Sequence, residues 1–244
     1  KLPRFHVGES LMPEAFWCFE RLGILDKMRE SDFIRKKSVQ FVSHSGQESN
    51  PFFFEKHDPR ENSTTWQVER AEFDKLLYDN AAEHGADCRD ETRVLDVLFD
   101  GDQANGVTLQ TSDGNPHSIA CKVVVDATGL SALLANKMNL KQDDPDLRKI
   151  AIWSYFENAE RETGPHGGAT IILHTEKKDS WFWFIPLRNN ITSIGVVGNR
   201  DYMLEGRGKP EEIFAAELQL CSAMQGRLDK ATITDKYRVA REFS

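Results

Sequence analysis

The chain has 244 residues, 39% hydrophobic and 29% charged, with a net charge of −8. That suits one large or two small globular domains, and the acidic surplus argues against a general nucleic-acid binder, which needs spare cations for phosphates. No apolar stretch approaches a membrane span and no secretory leader pattern is present, so a cytoplasmic protein without a membrane partner is expected.

Along the chain, Phe16, Phe19, Leu22, Leu25 and Met28 recur at helical spacing, which predicts a helix over 12–30 with Pro13 in its first turn and a break at Gly23. Ser10 stands where an N-cap would. Alternation predicts strands at 38–43 and 52–54, and Thr64–Val68 is β-rich. A helix is expected over 70–84, with Phe73, Leu76, Leu77 and Ala81 on one stripe and Gly85 as its stop. Strands at 93–99, 106–111 and 118–125 follow, turned by Asp100-Gly101 and Asp113-Gly114. The run Val123-Val124-Val125 reads as a buried strand. It leads into Asp126-Ala127-Thr128-Gly129 and a helix over 130–138. Polar residues 142–145 suggest a crossing between domains. Strands at 149–157, 169–175, 180–186 and 191–198 and a helix over 210–224 complete the chain. Strand–helix alternation followed by a strand-rich half predicts an α/β nucleotide-binding part plus an α+β part.

Cys18, Cys88, Cys121 and Cys221 are scattered without a C-x-x-C pair and read as reduced packing residues. The seven histidines show no metal spacing, so no metal is expected. In Ser180-Trp181-Phe182-Trp183-Phe184-Ile185-Pro186 the two tryptophans share one face of a strand and the two phenylalanines the other. Such a strand is covered on both sides or walls an apolar pocket, and Pro186 should end it. Lys36, in Phe33-Ile34-Arg35-Lys36, reads by itself as a solvated residue ahead of a strand. Arg70 opens a helix against its dipole. It suits either a functional contact or an ion pair with Glu69, Glu72 or Asp74. His166, in Gly164-Pro165-His166-Gly167-Gly168, reads as part of a plain turn that borders a pocket at most.

The W-x-W-x-I-P run and the segment Arg4-Phe5-His6-Val7-Gly8-Glu9-Ser10-Leu11-Met12-Pro13 together resemble the FAD-dependent halogenases, a branch of the flavin monooxygenase superfamily. The resemblance covers most of the chain. It implies an FAD-binding Rossmann-like domain over 1–145, with an inserted β segment at about 38–68, and a sheet-rich substrate domain over 146–244. It places the catalytic lysine at Lys36, with Lys37 as rival, and Trp181 and Trp183 at the substrate pocket. Val7 and Ser10 become FAD contacts. So do Gln67 and Arg70, from a stretch similar to Q-V-x-R-x-x-F-D, Asp126 and Gly129, from the A-T-G turn, and Val94, beside the adenine. No G-x-G-x-x-G occurs, and the later G-D segment that neighbours the halide is absent. The chain also begins with Lys1. It is therefore expected to be cut from a longer protein at both ends, and to bind FAD poorly alone.

The activity so implied is halogenation of an electron-rich aromatic, free or carrier-bound. A separate flavin reductase supplies reduced FAD, a C4a-hydroperoxide reacts with halide, and the lysine directs the resulting hypohalous acid. The alternatives are a monooxygenase or geranylgeranyl-reductase-like enzyme of the same fold, and, in another class, a non-catalytic fragment or pseudoenzyme that binds a ligand or partner.

Overall fold

The computed structural model describes residues 2–142 and 144–241. Lys1 and Asp143, on which the expected start and part of the expected crossing fall, lie outside the described residues.

The first helical pattern forms two helices, α1 (Ala15–Arg21) and α2 (Leu25–Glu30), divided where expected by Gly23 at φ +67°. Glycine takes that left-handed conformation without a Cβ clash. The turn rotates the apolar stripe, so Ile24 is buried and Leu22 is exposed, against expectation. β1 (Ile34–Lys36), β2 (Ser38–Val42) and the two-residue β3 (Phe52–Phe53) follow, and Phe54 opens a 3-10 turn instead of extending β3. β4 (Thr65–Gln67) pairs antiparallel with β1, setting Lys36 opposite Thr65.

Residues 9–11 run along β4. Ser10 bridges Gln67, Leu11 N–H donates to Trp66 O at 3.0 Å, and Val68 N–H donates to Glu9 O at 2.8 Å. This corrects the cap expected at Ser10: its backbone is committed to an extended pairing, and helix α1 begins only at Ala15. α3 (Arg70–Glu83) runs as predicted and stops before Gly85 at φ +90°.

β5 (Arg93–Asp100), β6 (Gln103–Gln110) and β7 (Pro116–Ala120) form an antiparallel meander. The third strand ends five residues earlier than expected. Val123 and Val125 are 74% and 83% exposed, which overturns the reading of 123–125 as a buried strand. Such a strand needs paired neighbours and covered faces, and among the described residues none pairs with it. α4 (Leu133–Lys137) follows the Asp126–Gly129 turn.

β8 (Lys149–Glu157), β9 (Thr170–His174), β10 (Ser180–Pro186) and β11 (Ile191–Asn199) fall within a residue of their predicted bounds. α5 (Arg200–Leu204) precedes the single helix expected at 210–224. That helix is two, α6 (Pro210–Gln219) and α7 (Ser222–Leu228), before β12 (Thr232–Ile233) and β13 (Arg238–Arg241). The large sheet has the order β12-β8-β11-β10-β9-β2-β3, with β13 also on β8. β2 joins it parallel to β9, Val39 opposite Thr170, so two strands of the first half complete the sheet of the second.

Strand β10 separates the two faces as its alternation predicts. Phe182 and Phe184 join Ile194, Val196 and, from the covering helices, Ile213, Phe214 and Met224 in one core. Trp183 and Ile185 join Ala151, Trp153 and Val197 in another, with Trp181, Tyr155 and Val7 packed against it. Full burial of each phenylalanine is worth about 1.5–3 kcal/mol. On the tryptophan face Gly195 admits both rings: a Cβ there would lie 2.3 Å from Trp183 Cζ2 and 2.5 Å from Trp153 Cβ. Among the described residues no helix is long and apolar enough to cross a membrane. The four cysteines are free; Cys221 is buried, as a packing residue should be, but Cys18 is exposed.

Candidate active site

Lys36 is 2% exposed, so the solvated reading of that residue fails. Its strand lies on one side of β4 and residues 9–11 on the other. The long side chain crosses β4 and donates from Nζ to Ser10 Oγ at 2.9 Å and to Leu11 O at 3.0 Å. The Phe54 ring lies 5.6 Å from the nitrogen. Every one of these partners is uncharged. Burial without a counter-charge pushes the ammonium down to about 8, because desolvation penalises the charged form. The aromatic ring beside the amine is that of Phe54.

Ser10 and Gln67 belong to the same network. Ser10 Oγ and Thr170 Oγ1 are 2.8 Å apart. The Gln67 amide donates to Thr170 Oγ1 at 2.9 Å and to Gly168 O at 3.0 Å. Gly168 is required there: a Cβ would fall 1.9 Å from Arg35 O, one residue before the lysine. His166 in the same loop is tied to Ser38 Oγ at 2.6 Å and Gln40 Oε1 at 2.9 Å, so the turn is anchored to β2.

Val7 and Arg70 meet at a second place. Arg70 Nη1 donates to Val7 O at 2.7 Å while its Nε donates to Asp74 at 2.8 Å, so of the three candidate ion pairs the structure shows Asp74. Arg70, Glu9, Tyr155, Phe5 and Arg188 line a cavity of about 280 Å³. Glu9 is 1% exposed. Tyr155 Oη donates to its Oε1 at 2.7 Å, and its Oε2 is buried without a partner. Burial pushes the Glu9 carboxyl up, against the Tyr155 hydrogen bond, and burial together with Glu9 pushes the Tyr155 hydroxyl up. Trp181 and Trp183 share the sheet face that carries Tyr155, and Trp183 Nε1 donates to Ser193 Oγ at 3.1 Å.

Val94, Asp126 and Gly129 stand apart; no hydrogen bond described here joins them to either group. Val94 lies in the meander and is exposed. Asp126 caps its own turn, accepting from Thr128 N at 2.9 Å and Leu134 N at 2.7 Å. Gly129, at φ +60°, has open space where a Cβ would lie, and with Ala127, Ala132, Ala135 and Met138 it lines a cavity of about 690 Å³.

Sequence reasoning missed Glu9 as more than a turn residue, and it missed Tyr155, Thr170 and Phe54. Tyr155 was findable: it shares the parity of Trp153 on a strand already predicted. Thr170 and Phe54 carry no local signal, since their roles depend on contacts more than 15 residues away.

The FAD binding domain model matches residues 7–240, and the chain belongs to that family; curated relatives that it matches are flavin-dependent halogenases. Over 214 residues it is 29% identical to 1H-pyrrole-2-carbonyl-[peptidyl-carrier protein] brominase of Pseudoalteromonas luteoviolacea, covering 87% of this chain and 50% of that protein. Among solved structures it is similar to the myxobacterial chondrochloren halogenase CndH, with TM-score 0.88, 29% identity, all of this chain and 57% of that one. It is also similar to a flavoprotein/dehydrogenase from Cytophaga hutchinsonii, with TM-score 0.81, 28% identity, 99% of this chain and 58% of that one. The chain therefore spans about half the length of the curated relatives it matches.

The residues fit FAD in part of its length. The small, apolar lining around Gly129 lets a flat ligand approach the backbone. The Arg70 end offers a guanidinium and a buried, unpartnered carboxyl oxygen of Glu9.

Proposed function

We propose that the whole protein is a flavin-dependent halogenase acting on an electron-rich aromatic substrate, free or carrier-bound, with Lys36 as the catalytic lysine. The observation that carries this reading is the buried amine of Lys36, held by neutral acceptors only and set against an aromatic ring. An ordinary structural lysine would be paired with a carboxylate or would reach solvent.

Reduced FAD, when bound, supplies the oxygen chemistry that converts halide into hypohalous acid. Arg70 and Val7 at one cavity, and the Asp126–Gly129 turn at the other, are the residues proposed to hold it, with Val94 on the meander at the adenine end. Lys36 donates a hydrogen bond to the hypohalous oxygen and so makes the halogen more electrophilic. The fraction of Lys36 present as free amine can also take the halogen as an N–halogen bond, with water leaving. Trp181 and Trp183 would wall the aromatic substrate on the face that carries Tyr155. The reduced flavin is proposed to come from a separate reductase. The residues 1–145 and 146–244 are proposed as cofactor and substrate parts, with β2 and β3 crossing between them.

The test supplies the whole protein with reduced FAD, oxygen and bromide, offers a panel of electron-rich aromatics free and carrier-linked, and reads products by mass. Brominated product lost in Lys36→Ala, with flavin binding retained, is the expected result. Likeness to a flavoprotein/dehydrogenase supports a second reading, a flavin oxidoreductase of the same fold. Flavin turnover indifferent to halide and to Lys36→Ala would favour it. A protein that never takes up flavin would point to a non-catalytic binder.

A further inference from the structure

Ser10 stands in the extended segment where the resemblance implies a cofactor contact, yet its hydroxyl is already spoken for. It accepts the Lys36 hydrogen bond at 2.9 Å and meets Thr170 Oγ1 at 2.8 Å. Thr170 in turn accepts from the Gln67 amide at 2.9 Å, and the other amide hydrogen of Gln67 is held by Gly168 O. Gln67 is 0% and Thr170 8% exposed. With both Gln67 donors used, Thr170 Oγ1 has one lone pair filled from that side, and its hydroxyl hydrogen and remaining lone pair are left for Ser10. We propose that Ser10, fixed by Thr170 and Gln67, is a positioning residue for Lys36: the chain Gln67–Thr170–Ser10 sets where the amine points.

With Ser10 Oγ and Leu11 O each taking one N–H, the third tetrahedral direction of the nitrogen is fixed. In the ammonium it carries the remaining hydrogen and in the free amine the lone pair. An unanchored amine on a four-carbon stem would rotate among many orientations. The groups packed around the amine add no charge to compete with this. Glu9, on the segment with Ser10, turns to Tyr155, and Glu69, beyond β4, faces Arg188. Glu55 and Lys56 on the Phe54 turn are exposed. On its own strand, Arg35 lies over Trp66, and Lys37 is the residue between β1 and β2. The role assigned to the amine rests on the halogenase reading; the anchoring of the amine does not.

The test is nitrogen-15 NMR of the flavin-free protein labelled at lysine Nζ, with the Lys36 signal assigned by its loss in Lys36→Arg. Wild type should titrate with a midpoint near 8. In Ser10→Ala the ammonium loses an acceptor that favours its charged form, and the midpoint should fall by about one pH unit. Thr170→Val, which is isosteric, should move it in part, and Thr170→Ser should restore it. Ser154→Ala removes another fully buried hydroxyl, bonded to Asp235 O at 2.7 Å, and should leave Lys36 unchanged.

If Ser10→Ala yields no folded protein, Thr170→Val against Thr170→Ser decides the matter. The proposal is overturned if these variants titrate with wild type, or if Ser154→Ala shifts Lys36 as much. Bromination by the wild-type protein is scored separately. Shifts without bromination leave the anchoring standing and remove the halogenase reading; bromination without shifts does the reverse.

Discussion

Replacing Lys36 with methionine should make the protein more stable at neutral pH and flatten its alkaline pH dependence. The lysine titrates near 10.5 in an unfolded chain and near 8 in the fold, where burial disfavours its charge. Between those values the unfolded state binds the proton and the native state does not, so stability rises with pH across that window. Below pH 8 both states are protonated and the full penalty is present; above 10.5 neither is, and the penalty is gone. At about 1.4 kcal/mol per pH unit the penalty is about 3 kcal/mol. The 2% exposure of the residue means that little solvent screening reduces it.

Methionine has similar volume and no charge. It leaves the Ser10 hydroxyl and Leu11 O without their donor, at about 1 kcal/mol for each. The net expectation at pH 7 is a gain of about 1 kcal/mol. Urea unfolding of wild type and Lys36→Met between pH 7 and 10.5 checks it, since the other titrating groups cancel in the difference. The difference should be largest at pH 7 and shrink as pH rises. Parallel pH profiles, or a variant less stable than wild type at pH 7, would refute the claim that an uncompensated buried lysine sits at this position.

Other expectations test the packing around the site. Gly195→Ala should cost more than about 2 kcal/mol in urea unfolding, because its Cβ would meet Trp183 and the Trp153 side chain inside 2.6 Å. Gly168→Ala should cost at least as much and should also shift the Lys36 nitrogen signal, since its Cβ would meet backbone beside the lysine. Glu217 is fully buried, with Arg207 at 2.6 Å, Tyr202 at 2.9 Å and Ser180 as partners, so Glu217→Ala should lose about 3 kcal/mol in the same assay by stranding Arg207. Val125→Thr, at an exposed position, should change the stability of this chain by less than about 0.5 kcal/mol; a larger loss would mean the run is buried in solution.

Local chemistry was legible wherever a pattern repeats over a few residues. The bounds of β8 to β11, the opposed faces of Trp183 and Phe184, the helix break at Gly23 and the stop at Gly85 were all readable from β-rich runs, side-chain period and glycine's freedom, which a chain carries in its own order. The family was legible for the same reason, because two short aromatic and glycine-bearing runs carry it. The state of Lys36 was not. As part of a sequence it is a charged residue between Arg35 and Lys37, and every local rule puts it in water.

Its burial comes from residues 10 and 65, brought around it by the pairing of β1 with β4 and of β4 with the 9–11 segment, and from Phe54, whose N–H donates to Lys37 O. Ser10 changed from a helix cap to an acceptor for an amine through the same pairing, and Val123 and Val125 turned out exposed because burial belongs to the neighbours a strand finds, not to the strand. Residue type and spacing thus settled most of the elements and the family the chain joins. Which side chains lose their water, and with it their ordinary chemistry, was decided by contacts between segments as much as 160 residues apart, as Ser10 and Thr170 are.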